Sequence, residues 1–356
     1  MAKIQELLKQ LKDLGGSDLH LGSGQAPAMR RHGSLEPLPN RAPIDDQALR
    51  AMLDGLLTDR RRAEFQRTAD LDFAFGLDGV ARFRSNYLMQ ETGIAAVFRL
   101  IPEVIPSIAE LALPPAIEQL CHLRGGLVLV AGPNGSGKTT TVAAIIDRIN
   151  ALSARHIVTV EDPVEFLHRG KKSVVSQREV GTDTESFSAA LRGAVRQDAE
   201  VIFIGEMRDF ETVSLALGAA EMGSLVFGTL STTTAAKTVD RIIDVFPPDQ
   251  QQQARASLSE ALQAVVAQVL LRTTDGKSRV PALEVLVAAQ GLASVIREGK
   301  TTMIDSLITT GRKLGMQSLD DALFELVDKG IISGADALPR AKDKRRFEAQ
   351  AGDTSA

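Results

Sequence analysis

The stretch Gly132-Pro133-Asn134-Gly135-Ser136-Gly137-Lys138-Thr139 constrains this chain more than any other. It fits G-x-x-x-x-G-K-[ST] without a gap. The apolar run Leu127-Val128-Leu129-Val130-Ala131 precedes it, and the helix-like Thr139-Thr140-Thr141-Val142-Ala143-Ala144-Ile145-Ile146 follows. Strand, glycine loop and helix in that order predict a phosphate-binding loop. Glycines let backbone N–H groups close around phosphate oxygens, and a helix N-terminus adds a favourable dipole. Lys138 is then placed to reach the outer phosphates and Thr139 to hold Mg²⁺. The alternative, a glycine turn ahead of an ordinary helix, leaves the flanking strand and helix without a reason.

With 356 residues the chain has room for two domains, each with its own core. Hydrophobic residues at 44% and charged residues at 24% fit a globular protein, and a net charge of −4 gives no reason to expect nucleic acid. Aromatic residues are 4% with no Trp, a poor supply of stacking platforms for single strands. Cys121 is the only cysteine, which excludes an intramolecular disulfide and a Cys-rich zinc site. No apolar run approaches the roughly 18 residues of a membrane span, and the N-terminal residues lack a signal-peptide core. The expected location is cytoplasmic, with any membrane role supplied by a partner.

Ile4, Leu7, Leu8 and Leu11 form one helical stripe that ends at Gly15-Gly16. Short extended pieces follow at 17–21 and 28–30, then a helix over 45–57. From Leu71 the pattern turns to strands, with a hairpin turn at Asp78-Gly79. Alternation over 80–88 puts Ala81, Phe83, Ser85 and Tyr87 on one face and Arg82, Arg84 and Asn86 on the other. The paired arginines are either a solvated sheet face or guanidinium donors to a phosphate. Residues 102–115, with four prolines, read as a linker between an N-terminal α+β domain (1–101) and a nucleotide domain (116–338). In the second domain, strands and helices alternate, which predicts an α/β fold with a largely parallel sheet. Residues 250–271 read as one core helix and the rest to about Ser333 as helical. The polar stretch 339–356 reads as a disordered tail.

A nucleotide hydrolase also needs a held metal, an oriented water and positive charge at the transition state. Val201-Ile202-Phe203-Ile204-Gly205-Glu206 is an apolar strand ending in a carboxylate, at the sheet edge where ligands bind in open α/β folds. Glu206 is therefore the first candidate for metal or water positioning, against the alternative of an exposed Glu starting a helix. The second is the cluster Glu161, Asp162 and Glu165, whose carboxylates repel unless a cation is near. Pairing with carboxylates is the expected role for most of Arg192, Arg196, Arg208 and Arg241. The histidines His20, His32, His122, His156 and His168 show no metal-ligand spacing and read as structural or surface residues.

Together these residues resemble the type IV pilus retraction ATPase (PilT) family of the secretion ATPase superfamily. The likeness covers nearly the whole chain. Gly132 to Thr141, including Thr140, resembles its Walker A loop, 157–166 its Asp box, 201–209 its Walker B segment and 228–247 its His box. Residues 17–21 and 80–84 are similar to motifs of its N-terminal domain. The resemblance implies a PAS-like N-terminal α+β domain followed by a RecA-like P-loop domain. It also implies a homohexameric ring, with ATP and Mg²⁺ bound between a subunit's two domains. Glu206 and Glu165 would be the catalytic carboxylates, with Arg241 from the His box. Arg82, Arg84 and Arg99 would approach the nucleotide. The implied partner is an inner-membrane pilus platform protein, with a paralogous motor as a second partner, and the implied work is pilus retraction and twitching motility.

Two departures from the family pattern stand out. Ser231-Thr232-Thr233 replaces His-Thr-Asn in the His box, so a neutral hydroxyl stands where an imidazole could carry charge. Ala293 replaces the first arginine of the retraction motif, whose Ile296-Arg297-Glu298 ending is kept. A divergent paralogue is therefore expected. The alternatives are an ATP-binding ring subunit with little hydrolysis that supports another motor, and a pilus-extension or type II secretion ATPase. The latter lacks support from a tetracysteine insertion. A RecA-type nucleic-acid motor is disfavoured by the scarce aromatics and the lack of a basic stripe.

Overall fold

A computed structural model describes residues 2–31 and 33–352. Its contacts divide the chain into two units. One holds the residues up to Val104 with Pro163–Leu167, and the other Ile105–Asp162 with His168 onward.

The first unit begins with α1 (Ala2–Asp13), whose Ile4, Leu7, Leu8 and Leu11 are all buried, as their stripe predicts. A six-stranded antiparallel sheet follows, from β1 (Asp18–Gly22), β2 (Ala28–Arg31), β3 (Ser34–Pro37), β4 (Asp70–Leu77), β5 (Ala81–Gln90) and β6 (Gly93–Ile101). Its order is β3-β2-β1-β6-β5-β4. Two helices interrupt it, α2 (Asp46–Asp54) and α3 (Asp59–Thr68). The Asp45 carboxylate caps α2 by accepting from Ala48 N–H at 2.8 Å. Helix α3 buries no residue, so it has no apolar stripe by which its sequence could announce it. On β5 the alternation holds: Ala81, Phe83, Ser85 and Tyr87 are buried, and Arg82, Arg84 and Asn86 are half-buried. Tyr87 meets Phe73 and Phe98 edge-on, with ring centroids 5.1 and 5.8 Å apart.

The second unit opens with α4 (Pro115–Leu120), β7 (Gly126–Ala131) and α5 (Lys138–Leu152). Next come β8 (His156–Glu161), β9 (Val174–Glu179), α6 (Phe187–Arg196), β10 (Val201–Ile204), α7 (Phe210–Glu221), β11 (Leu225–Leu230) and α8 (Ala235–Asp244). After α9 (Gln251–Ala261) the chain adds β12 (Leu262–Arg272) and β13 (Arg279–Val287). The helices α10 (Leu292–Arg297), α11 (Ile304–Thr310), α12 (Leu319–Asp328), α13 (Gly334–Ala337) and α14 (Arg345–Gly352) complete it. The seven strands lie in the order β13-β12-β7-β11-β10-β8-β9, parallel throughout except for β13 against β12. Leu127, Leu129 and Val265 point into one apolar cluster and Val128, Val130 and Val266 into another, so the central strands are buried on both faces.

Three expectations are corrected. Residues 250–271 are not one core helix, because α9 ends at Ala261 and the run Leu262–Arg272 is a central strand. A strand covered on both faces is apolar at consecutive positions, so its spacing also satisfies a helical stripe. The β-branched Val265, Val266 and Val269 are the residues that favour the strand. Strand β13 likewise occupies part of the stretch expected to be helical. The tail from Pro339 is ordered as far as Gly352, with Ala341 and Phe347 buried in a cluster with Leu319, Leu323 and Ile332. Residues 353–356 and His32 lie outside the described residues. Among the described residues no helix is long and apolar enough to cross a membrane.

Candidate functional site

Strands β7, β11, β10 and β8 run parallel, so their C-terminal ends share one edge of the sheet. Backbone hydrogen bonds continue beyond that edge. Gly132 N–H donates to Leu230 O at 3.2 Å, Met207 N–H to Thr229 O at 2.9 Å and Gly205 N–H to Val160 O at 2.7 Å. The Thr229 hydroxyl donates to Gly205 O at 2.5 Å. The glycine loop, Gly205-Glu206, Glu161 and Ser231 therefore leave the sheet side by side, where open α/β folds bind ligands.

The loop runs from Gly132 to Gly137 and turns into α5 at Lys138. Gly132 has φ +153, and a Cβ there would lie 2.4 Å from Ser136 Oγ and 2.5 Å from Gln268 O. Gly137, at φ +88, would place one 3.1 Å from Gln268 Nε2. The Lys138 ammonium donates to Gly132 O at 2.8 Å and Pro133 O at 3.2 Å, which keeps it over the loop. The buried Ser136 Oγ has no hydrogen-bond partner among the described residues. The first turn of α5 adds amide N–H groups that a helix cannot satisfy internally. An ammonium, a buried hydroxyl and helix-end amides around a cradle too tight for a Cβ form a donor-rich set that fits a phosphate.

Glu206 follows β10 but does not start a helix. Asp209 is the cap of α7, accepting from Thr212 N–H at 2.9 Å. The Glu206 carboxylate is half-buried and ion-paired with the exposed Arg208, whose guanidinium is raised above its usual value by that hydrogen bond. Arg192 pairs with Glu211, so these two arginines take the carboxylate-pairing role. Arg241 is exposed in the last turn of α8 and makes no ion pair among the described residues.

The acidic cluster is divided between the units. Glu161 is buried in the second, accepting from the Thr159 hydroxyl at 2.7 Å and from Gln177 Nε2 at 3.3 Å. Glu165 belongs to the first, where Arg84 lies 3.7 Å from it. Arg82 Nε donates to Val164 O at 2.9 Å, so the two arginines of β5 grip segment 163–167. Arg99, opposite Arg84 in register, pairs with Asp18 at 2.8 Å. His156 is structural, its ring nitrogens 3.0 Å from Gln197 O and 3.1 Å from Ser176 Oγ.

Sequence reasoning missed two residues. Gln268 on β12 is buried beside the loop, hidden by the reading of that stretch as helix. Glu284 on β13 is buried too. Its Oε1 accepts from Ala235 N–H at 2.7 Å, at the start of α8, and its Oε2 lies 3.1 Å from Lys342. A carboxylate within the otherwise apolar run of residues 280–287 was the available signal for Glu284.

Residues 72–320 match the family model described as Type II/IV secretion system protein. The chain is 45% identical to the type IV pilus retraction ATPase PilT of Pseudomonas aeruginosa, over 97% of this chain and 99% of that protein. It is 37% identical to the type IV pilus ATPase PilU of the same organism, over 95% of this chain and 88% of the relative. A crystal structure of the pilus retraction motor PilT with bound ADP superposes with a TM-score of 0.89 at 42% identity, covering 97% of this chain and 99% of that one. With a PAS-like N-terminal unit and a RecA-like P-loop unit, the chain belongs to the Type II/IV secretion system protein family and, within it, to the PilT family.

Proposed function

We propose that this chain is the ATP-hydrolysing subunit of a homohexameric motor that retracts type IV pili. It would act from the cytoplasmic side on an inner-membrane platform protein. The observation that carries the reading is the phosphate cradle of Gly132 to Thr139, beside Gly205-Glu206 on one sheet edge. What the relatives are named for supports the pilus context.

The backbone N–H groups from Asn134 to Thr140 and the Lys138 ammonium would hold the outer phosphates, and Thr139 Oγ1 and Glu206 would serve Mg²⁺. Mg²⁺ held there would supply positive charge that neutralises the phosphates. Glu206 and Glu165 are the carboxylates proposed to orient the attacking water. Arg241, Arg82, Arg84 and Arg99 are the proposed cationic partners of the nucleotide.

A second reading, an ATP-binding ring subunit with little turnover, is favoured by Ser231 and Ala293. Mg²⁺-dependent ATP hydrolysis by the purified protein, compared with Glu206→Gln and Ser231→His, separates the two. The motor reading expects wild-type turnover that disappears in Glu206→Gln and rises in Ser231→His. Wild-type protein that binds ATP with no turnover above Glu206→Gln would replace it with the second reading.

A further inference from the structure

Gln268 lies on β12 immediately after its last residue paired with β7, Ala267, and its side chain is 2% exposed. Its Nε2 donates to the carbonyl of Ser136 at 2.5 Å, and its Oε1 accepts from the Thr141 hydroxyl at 2.9 Å. A carbonyl oxygen only accepts, so the amide has one workable orientation: Nε2 toward Ser136 and Oε1 toward Thr141. The side chain therefore joins the middle of the glycine loop to the first turn of α5.

The consequence reaches the loop's donors. In a trans peptide the C=O and the following N–H point in opposite directions. Holding the Ser136 carbonyl toward β12 turns the N–H of Gly137 away from β12, toward the concave side of the loop. The loop's own glycines fit around the same residue. A Cβ on Gly132 would lie 2.5 Å from the Gln268 carbonyl, and one on Gly137 would lie 3.1 Å from its side-chain nitrogen. Gln268 is thus built into the phosphate cradle although it stands 132 positions from Ser136.

We propose that Gln268 is a positioning residue for nucleotide binding, setting the Ser136–Gly137 peptide so that the Gly137 amide faces the phosphate. This rests on the nucleotide-binding reading above.

The test is binding of ADP with Mg²⁺ to the purified full chain, by calorimetry, with Gln268→Leu, Gln268→Glu and Thr141→Val beside wild type. Gln268→Leu removes the donor to Ser136 and is expected to weaken ADP binding by about tenfold. Thr141→Val leaves that donor in place and is expected to lose less. Gln268→Glu gives a readout that a general loss of packing would not move. An ionised carboxylate has no donor for Ser136, but a protonated carboxyl has one O–H to donate and one oxygen to accept from Thr141, the amide's own pattern. Burial favours the protonated form. ADP affinity of Gln268→Glu, relative to wild type at the same pH, is therefore expected to recover as pH falls from 8 to 5.5. Gln268→Leu binding as tightly as wild type, or a Gln268→Glu deficit that is the same at both pH values, overturns the inference while wild-type binding keeps the nucleotide reading. A wild-type protein that binds no ADP overturns both.

Discussion

Replacing Lys342 by Met should destabilise the second unit through a residue that never touches the phosphate loop. Glu284 is 2% exposed on β13, and its two oxygens have different partners, Ala235 N–H at 2.7 Å and Lys342 Nζ at 3.1 Å. Lys342 also lies 2.9 Å from the exposed Asp305. Burial alone would lower the Lys342 ammonium, but Asp305 and Glu284 outweigh it and hold the group above its usual range, so it is charged throughout neutral pH. Lys342→Met keeps the four-atom stem of the side chain, removes only the ammonium, and leaves the Glu284 carboxylate buried without its cation. Breaking a fully buried pair costs roughly 3–5 kcal/mol, and because Lys342 is partly exposed the expected loss is about 2 kcal/mol. In a unit of this size that lowers the thermal midpoint by roughly 4–8 °C. Adding Glu284→Gln should restore part of the loss, since an amide oxygen still accepts from Ala235 and needs no counter-charge. Urea unfolding of wild type, both single variants and the double variant measures the coupling, expected at about 1–2 kcal/mol. An unchanged midpoint in Lys342→Met, or a double variant no more stable than that single variant, would refute the clamp.

Phe347→Ala should cost about 3–5 kcal/mol, because the ring is fully buried against the cluster of Leu319, Leu323 and Ile332; a urea midpoint within about 1 kcal/mol of wild type would contradict that packing. Stability should also depend on His168. Burial pushes its imidazole down from 6.5 to about 4, so between those values the unfolded chain binds the extra proton. Its contribution is fully present above pH 6.5 and is lost as pH falls toward 4, by roughly 3 kcal/mol in all. His168→Leu should flatten that part of the stability profile relative to wild type, and equal slopes for the two proteins would count against the assignment.

What the sequence displayed depended on whether burial was one-sided. Helix α1 and strand β5 each bury one face, so Ile4, Leu7, Leu8 and Leu11, and likewise Phe83, Ser85 and Tyr87, carry a period that names both the element and its inner face. Strand β12 is covered on both faces, and its run from Leu262 has no such period. The glycine loop was legible because its chemistry is local, within eight consecutive residues. Gln268 and Glu284 were not, because their partners at Ser136 and Ala235 are 132 and 49 positions away. The C-terminal stretch misled for a related reason. Its composition is polar, yet the Asp320 carboxylate accepts from Lys342 N–H at 2.8 Å and Asp343 N–H at 2.9 Å, which fixes the chain so that Phe347 can reach its pocket.

The departure at Ser231 can be separated from the fold that carries it. Ser231 is exposed just beyond β11, and the structure around it is held by other groups. The Thr232 and Thr238 hydroxyls lie 2.7 Å apart, the Thr234 hydroxyl caps α8 by accepting from Lys237 N–H at 3.2 Å, and Glu284 holds Ala235 N–H. None of these contacts uses the side chain at position 231. A serine there therefore removes an imidazole without releasing the loop, and Ser231→His should leave the urea midpoint within about 0.5 kcal/mol of wild type. A change in ATP turnover in that variant then reports on charge and hydrogen bonding at the sheet edge. A large midpoint shift would instead mean that position 231 shapes the loop, and the turnover comparison would lose its chemical meaning.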